Sequence, residues 1–191
     1  MAGDPKSQVW LTSALTESDV PQALTLCFSL KRVFTCRKIG VIVSKKLTNE
    51  LIEFLYKGFD YLFYLEEGLN TAKLKEQDFV KLFPLTLKPF EMCVFLSPTM
   101  LAVKNCDHIF EENRNHRSPC HLLRDPARTD LFVIRPSWKV FEDLMKDLMQ
   151  NSETDLETYI RGKRKTNAVV CRPLADSYSH LLSVESLPES G

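Results

Sequence analysis

Apolar runs alternate with helical patterns through the first hundred residues, and this alternation constrains the fold more than any other feature. "QVWLTSA" (Gln8 to Ala14), "KIGVIVS" (Lys38 to Ser44), "DYLFYLEE" (Asp60 to Glu67) and "EMCVFLS" (Glu91 to Ser97) read as strands. Ser18-Asp19-Val20-Pro21 is a helix start, with Ser18 placed to cap and Pro21 in the first turn. Ala23, Cys27, Leu30 and Phe34 then follow at helical spacing. Thr48 opens a second helix carrying Leu51, Ile52 and Leu55, and Phe79, Leu82 and Phe83 a third that Pro84 should bend or end. Such an order requires crossover connections, so the expected fold is α/β, a mostly parallel, doubly wound (Rossmann-like) sheet with helices on both faces.

Ser97-Pro98-Thr99 therefore falls at the carboxyl end of a central strand, the usual ligand edge of such a sheet. Beyond it, "NCDHIFEE" suggests a short helix in which Asp107 could act as cap, and Asn113 to Ala127 reads as a loop. "DLFVIRPS" is a further strand, and Trp138 to Met149 an amphipathic helix. "GKRKTN" (Gly162 to Asn167) is basic, and after Ser179 the composition drifts to Ser, Glu, Pro and Gly, as in a loose tail. No internal repeat is visible.

With 191 residues, 44% of them hydrophobic, the chain can bury one good core. Twenty-five acids balance twenty-five bases, so no global field recommends a nucleic acid or an anionic membrane as partner. No apolar run reaches the ~18 residues of a membrane span, and the polar N-terminus lacks a signal-peptide core. The six cysteines are dispersed, which fits reduced, packed thiols and a cytoplasmic protein.

The colinear segments "ALTLCFSLKR", "IGVIVS", "VKL", "CVFLSPTMLAVKNCDHIF" and "LFVIRPSWKVFEDLM" resemble glycogenin-like glycosyltransferases of family 8, from about Gln8 to Pro188. The resemblance implies a GT-A fold, shortened at the C-terminus, as one domain over 8–179. Its nucleotide-binding half would be about 8–99, with flexible ends at 1–7 and 180–191. The family activity would be retaining glucosyl transfer from UDP-glucose with manganese as cofactor. Thr12 and Lys81 would be the positions left to bind a sugar nucleotide.

The departures from the family pattern are as informative. Where the family carries the two aspartates of its metal-binding Asp-x-Asp, this chain has Ser97 and Thr99. A hard dication needs anionic oxygen to offset its lost hydration, and neutral hydroxyls do not supply it. The tyrosine expected to stack on uracil falls at Asp19, and the family's Asn-Ser-Gly becomes Arg128-Thr129-Asp130. Of an Asp-Gly-Gly-Asp-Gln loop only Asp155 is kept, with Thr158 in place of the second aspartate, and the acceptor tyrosine falls near Glu185. Lys81 is the site residue still in place. The chain is thus expected to use no metal and no cofactor, with Lys81, Arg128, Asp130, Asp155 and Thr158 as degenerate catalytic positions.

Plainer readings stand beside these. Ser97 and Thr99 are ordinary turn residues around Pro98, and Lys81 an ordinary solvated helix lysine. Cys106, His108, His116, Cys120 and His121 match no zinc spacing, no Cys-His pair has a nucleophile's context, and "GKRK" is by default a solvated loop. Two functions stay open. One is an inactive homologue acting by protein contact, as a homodimer or with a glycogenin-like partner, in glycogen metabolism. Trp138, Phe141 and Met145 are expected to offer its contact surface. The alternative is a glycosyltransferase working without metal, with Lys81, Arg128 or the "GKRK" lysines in place of the cation.

Overall fold

A computed structural model describes residues 5–65, 76–112, 123–125, 128–150 and 181–183. Of Pro5 and residues 76–78, 123–125, 128–130, 147–149 and 181–183 it describes the backbone alone. After a 3-10 turn at Pro5–Ser7, the strands are β1 (Gln8–Ala14), β2 (Lys38–Val43), β3 (Tyr61–Tyr64), β4 (Met92–Leu96), β5 (Met100–Ala102), β6 (Leu123–Asp125), β7 (Arg128–Ile134) and β8 (Leu181–Ser183). The helices are α1 (Asp19–Arg32), α2 (Asn49–Gly58), α3 (Glu76–Leu82), α4 (His108–Glu112) and α5 (Trp138–Gln150).

Six strands form one sheet in the order β3-β2-β1-β4-β7-β6. The first four are mutually parallel, while β7 runs antiparallel to both β4 and β6. The expected mostly parallel, doubly wound sheet is thus present. Every residue of β1 is buried, and so is every residue of β4, because both lie at the centre with layers on each face.

Alternation along the strands divides the core in two. Trp10, Val41, Val94 and Val133 face the layer that holds Leu26, Leu30 and Leu55 of α1 and α2 and Phe110 of α4. Val9, Leu11, Ile42 and Phe95 face the opposite layer, with Phe79 and Leu82 of α3 and Phe141 and Leu144 of α5. Gly40 is required by close approach in that second layer. A Cβ there would sit 2.7 Å from Phe63 Cε2 and 3.0 Å from Leu11 Cδ2.

Several expectations need correction. Ser18 makes no capping bond; its hydroxyl pairs with that of Thr16 at 2.9 Å, and the neighbouring Asp19 carboxylate satisfies the loop amides instead. Phe34 does not continue the buried stripe of α1, because the helix ends at Arg32. Phe34 adopts a left-handed backbone (φ 57°) and is 86% exposed. The amides of Phe34 and Thr35 return to the carbonyls of Lys31 and Leu30, so a phenylalanine occupies the place that usually takes glycine in this helix stop. As expected of Pro84, α3 ends just before it, at Leu82, and a 3-10 turn (Phe83–Thr86) takes the proline near its first position.

The polar stretch expected as a loop contains β6, which pairs with β7. Leu181–Ser183 lies within the expected loose tail, yet its backbone bonds are taken up by β5. Pro5–Ser7, at the expected loose start, is held by the Ser7 carbonyl, which accepts from the Glu91 amide at 2.7 Å. Phe141 and Met145 are buried in the second layer, which leaves only Trp138 of the three expected contact residues exposed. Among the described residues, no helix is long and apolar enough to cross a membrane.

Candidate functional site

The chain leaves β1, winds outward through β2 and β3, and then returns to place β4 on the other side of β1. The crevice between the carboxyl ends of β1 and β4 is therefore the switch point where α/β sheets bind ligands. Constant register joins these two strands from Gln8↔Met92 to Leu11↔Phe95. Two further residues at the same offset bring Ser13 opposite Ser97, both on the face that α3 covers. Across β4, the pairing with β7 ends at Leu96↔Leu131, so residue 130 lies next along β7 at the point where Ser97 leaves β4.

The corner itself is a closed hydroxyl pair. Ser97 Oγ and Thr99 Oγ1 lie 3.0 Å apart, both half-buried, and the Met100 amide donates to the Ser97 carbonyl at 3.0 Å to complete the turn. Two neutral hydroxyls that satisfy one another do not match a hard divalent cation, which calls for carboxylate oxygen. Among the described residues no three His, Cys, Asp or Glu side chains gather in a group that could hold a metal.

On the β1 side, the loop into α1 would ordinarily offer backbone N–H groups to an anion. Here the Asp19 carboxylate takes two of them, accepting from Leu15 N at 3.0 Å and Thr16 N at 2.8 Å. The carboxylate is held by its own loop, so this entrance carries a bound negative charge. Sequence reasoning located Asp19 but gave it no role. The three-residue spacing from Thr16 to an acid at the first turn of a helix is the signal that would have done so.

Of the residues singled out from the sequence, Ser97 and Thr99 meet at the end of β4, with Asp130 near by strand position, while Arg128 lies two residues further along β7, opposite Asp125 of β6. Lys81 sits half-buried on α3, between Val80 and Leu82, which pack on the sheet face that Ser13 and Ser97 share. It forms no ion pair among the described residues. Thr12 stays apart. It is 1% exposed, lies on the opposite face with Trp10 and Ala14, and its hydroxyl has no hydrogen-bond partner among the described residues. Asp155 and Thr158 lie outside the described residues, as do Glu185 and the "GKRK" lysines. Ser13 was missed, although period-two alternation from Leu11 assigns it to the crevice face.

Asp107 has a different task from the helix cap expected of it. Its carboxylate accepts from Trp10 Nε1 at 3.1 Å, Thr35 Oγ1 at 2.5 Å and the Cys36 amide at 2.8 Å. Burial alone would raise its pKa, but these donors outweigh it and hold the carboxyl below its ordinary value. Asn105 completes the knot by donating to the carbonyls of Val33 and Phe34. The thiols of Cys27 and Cys106 are pushed up by burial to about 11 and about 12, and that of Cys93 higher still, so none of the three is a poised nucleophile.

The sheet order and its layers give a fold shared with solved glycosyltransferases and with a cytidylyltransferase. The glycosyltransferase GlyE of Streptococcus pneumoniae TIGR4 superposes with a TM-score of 0.62 at 13% identity, covering 91% of this chain and 46% of that one. A cytidylyltransferase from Leptospira borgpetersenii gives 0.58 at 12% identity, covering 89% and 77%. In sequence the chain is similar to glycogenins. It is 26% identical to human glycogenin-2 (78% of this chain, 31% of the relative) and 28% identical to glycogenin-1 of Caenorhabditis elegans (73% and 34%). Mouse glycogenin-1 is 22% identical over 95% of this chain and 59% of its own length, so the chain spans between 31% and 59% of these relatives. No family model matches.

Proposed function

We propose that this chain is an inactive glycogenin-like glycosyltransferase homologue that works by protein contact in glycogen metabolism, as a homodimer or with a glycogenin-like partner. The carrying observation is the Ser97–Thr99 hydroxyl pair at the switch point, where the resemblance calls for two metal-binding carboxylates. Transfer from a sugar nucleotide leaves a diphosphate, and stabilising that charge is a major part of such catalysis. Neutral hydroxyls contribute little to it. Asp19 supports the same reading, since it occupies loop amides that could otherwise meet a phosphate.

A second reading rests on Lys81, a half-buried cation on α3 without an ion-pair partner among the described residues. In it, Lys81 with Arg128 clamps the diphosphate electrostatically and transfer proceeds without metal. Release of UDP from UDP-glucose by the purified chain, with and without manganese, separates the two. The first reading expects no release above a protein-free control. Manganese-stimulated release lost in Lys81→Ala overturns it, and metal-independent release lost in the same variant establishes the second.

A further inference from the structure

We propose that Gln8 and Arg37 share an internal hydration site at the amino-terminal edge of the sheet. In it an ordered water accepts from Gln8 Nε2 and Arg37 Nε and donates to Gln8 Oε1. Gln8 is fully buried, and neither its amide nitrogen nor its amide oxygen has a partner among the described residues. Arg37 is 8% exposed, and its Nε is likewise buried without a partner.

Register brings the two together. Val9 lies opposite Lys38, so the preceding residues Gln8 and Arg37 are neighbours one step further down the same two strands. Both belong to the face of Trp10. Arg37 stacks over Phe110, its CZ 5.5 Å from the ring centroid, and that ring meets Trp10 edge-on at 4.9 Å. Orphaned buried donors and acceptors each cost about 1–3 kcal/mol, so two such side chains on one face need a common guest.

The chemistry of the three atoms selects that guest. Gln8 Oε1 requires a donor, while Gln8 Nε2 and Arg37 Nε require an acceptor, and water supplies both. A bare anion would leave Oε1 unpaired and would lie near the Glu111 carboxylate, which already pairs with Arg37 at 2.6 Å. A cation would meet the guanidinium. The site therefore joins the ends of β1 and β2 through solvent, and Arg37 ties it to α4 by its direct bond to Glu111.

A double-mutant cycle in urea tests the site. Gln8→Met keeps volume and removes both amide atoms; Arg37→Lys keeps the charge for Glu111 and removes the Nε–H. Gln8→Met should raise the unfolding constant about five-fold in the natural background, the worth of about one net hydrogen bond. In the Arg37→Lys background the same change should cost less than about two-fold, because the shared water is already weakened. Equal costs in both backgrounds, or a stabilising Gln8→Met, overturn the proposal, since a dry site gains from losing its polar atoms. Should a variant not fold, a high-resolution crystal structure of the unaltered chain decides. An ordered water within hydrogen-bond reach of both Gln8 Nε2 and Arg37 Nε supports the site, and direct packing of the two side chains contradicts it.

Discussion

Removing the Asp107 carboxylate should be the most damaging change to a polar side chain in the first core layer. The side chain is 8% exposed and collects hydrogen bonds from β1, from the turn after α1 and from the backbone leading into β2. In Asp107→Ala the Thr35 hydroxyl can rotate, and Trp10 Nε1 retains its other acceptor, Thr35 Oγ1 at 3.0 Å. The Cys36 amide has no such substitute. One orphaned buried donor plus the loss of charge-assisted bonds gives about 2–4 kcal/mol, against a total of about 5–15 kcal/mol for a domain. Asp107→Asn should cost nearly as much, because its amide nitrogen brings donors toward donors. Urea unfolding at pH 7 measures both. The carboxyl's pKa is lowered in the folded state, so its stabilisation is present above the unfolded value of about 4 and is lost as pH falls through the folded one. The gap between wild type and Asp107→Asn should therefore narrow below pH 4. A cost under about 0.5 kcal/mol, the range of an ordinary surface substitution, would refute this account of the knot.

Two other substitutions probe the backbone. Phe34→Gly should stabilise by about 0.5–1 kcal/mol, because the left-handed conformation costs an L-residue about 1–2 kcal/mol and glycine returns part of this as chain entropy. The ring is 86% exposed and gives up little packing, so a lowered thermal midpoint would count against the reasoning. Gly40→Ala should cost about 1–3 kcal/mol through overpacking against Phe63 and Leu11, read by the same urea titration. An unchanged midpoint there would mean that the Phe63 ring yields freely.

The alternation of strands and helices was legible because buried parallel strands must read as apolar runs, and β1, β2 and β4 do. The strands β5, β6 and β8 were not. Each is three residues long and owes its conformation to a partner elsewhere in the chain, Leu101 to Leu182 for example. Phe34 was misread because its spacing from Leu30 is helical, whereas the helix stop is decided by carbonyls that accept from Phe34 and Thr35. At the site, Ser97 and Thr99 could be placed from sequence because they follow a strand. For Ser13 and Asp19 the local signals, alternation from Leu11 and the spacing from Thr16, were present in the sequence, but their meaning depends on register between strands and on a loop folding back on itself. Asp107 lies 97 residues from Trp10 in the chain, and nothing local announces that pairing.

The central claim, a sugar-nucleotide edge without a metal site, is tested most directly by calorimetric titration of UDP-glucose with and without manganese. A crevice ending in Ser97 and Thr99 hydroxyls should show no gain in affinity from the metal, with any binding equal within about two-fold in the two titrations. Tightening of about ten-fold or more on adding manganese would show a dication held between nucleotide and protein, and would contradict it.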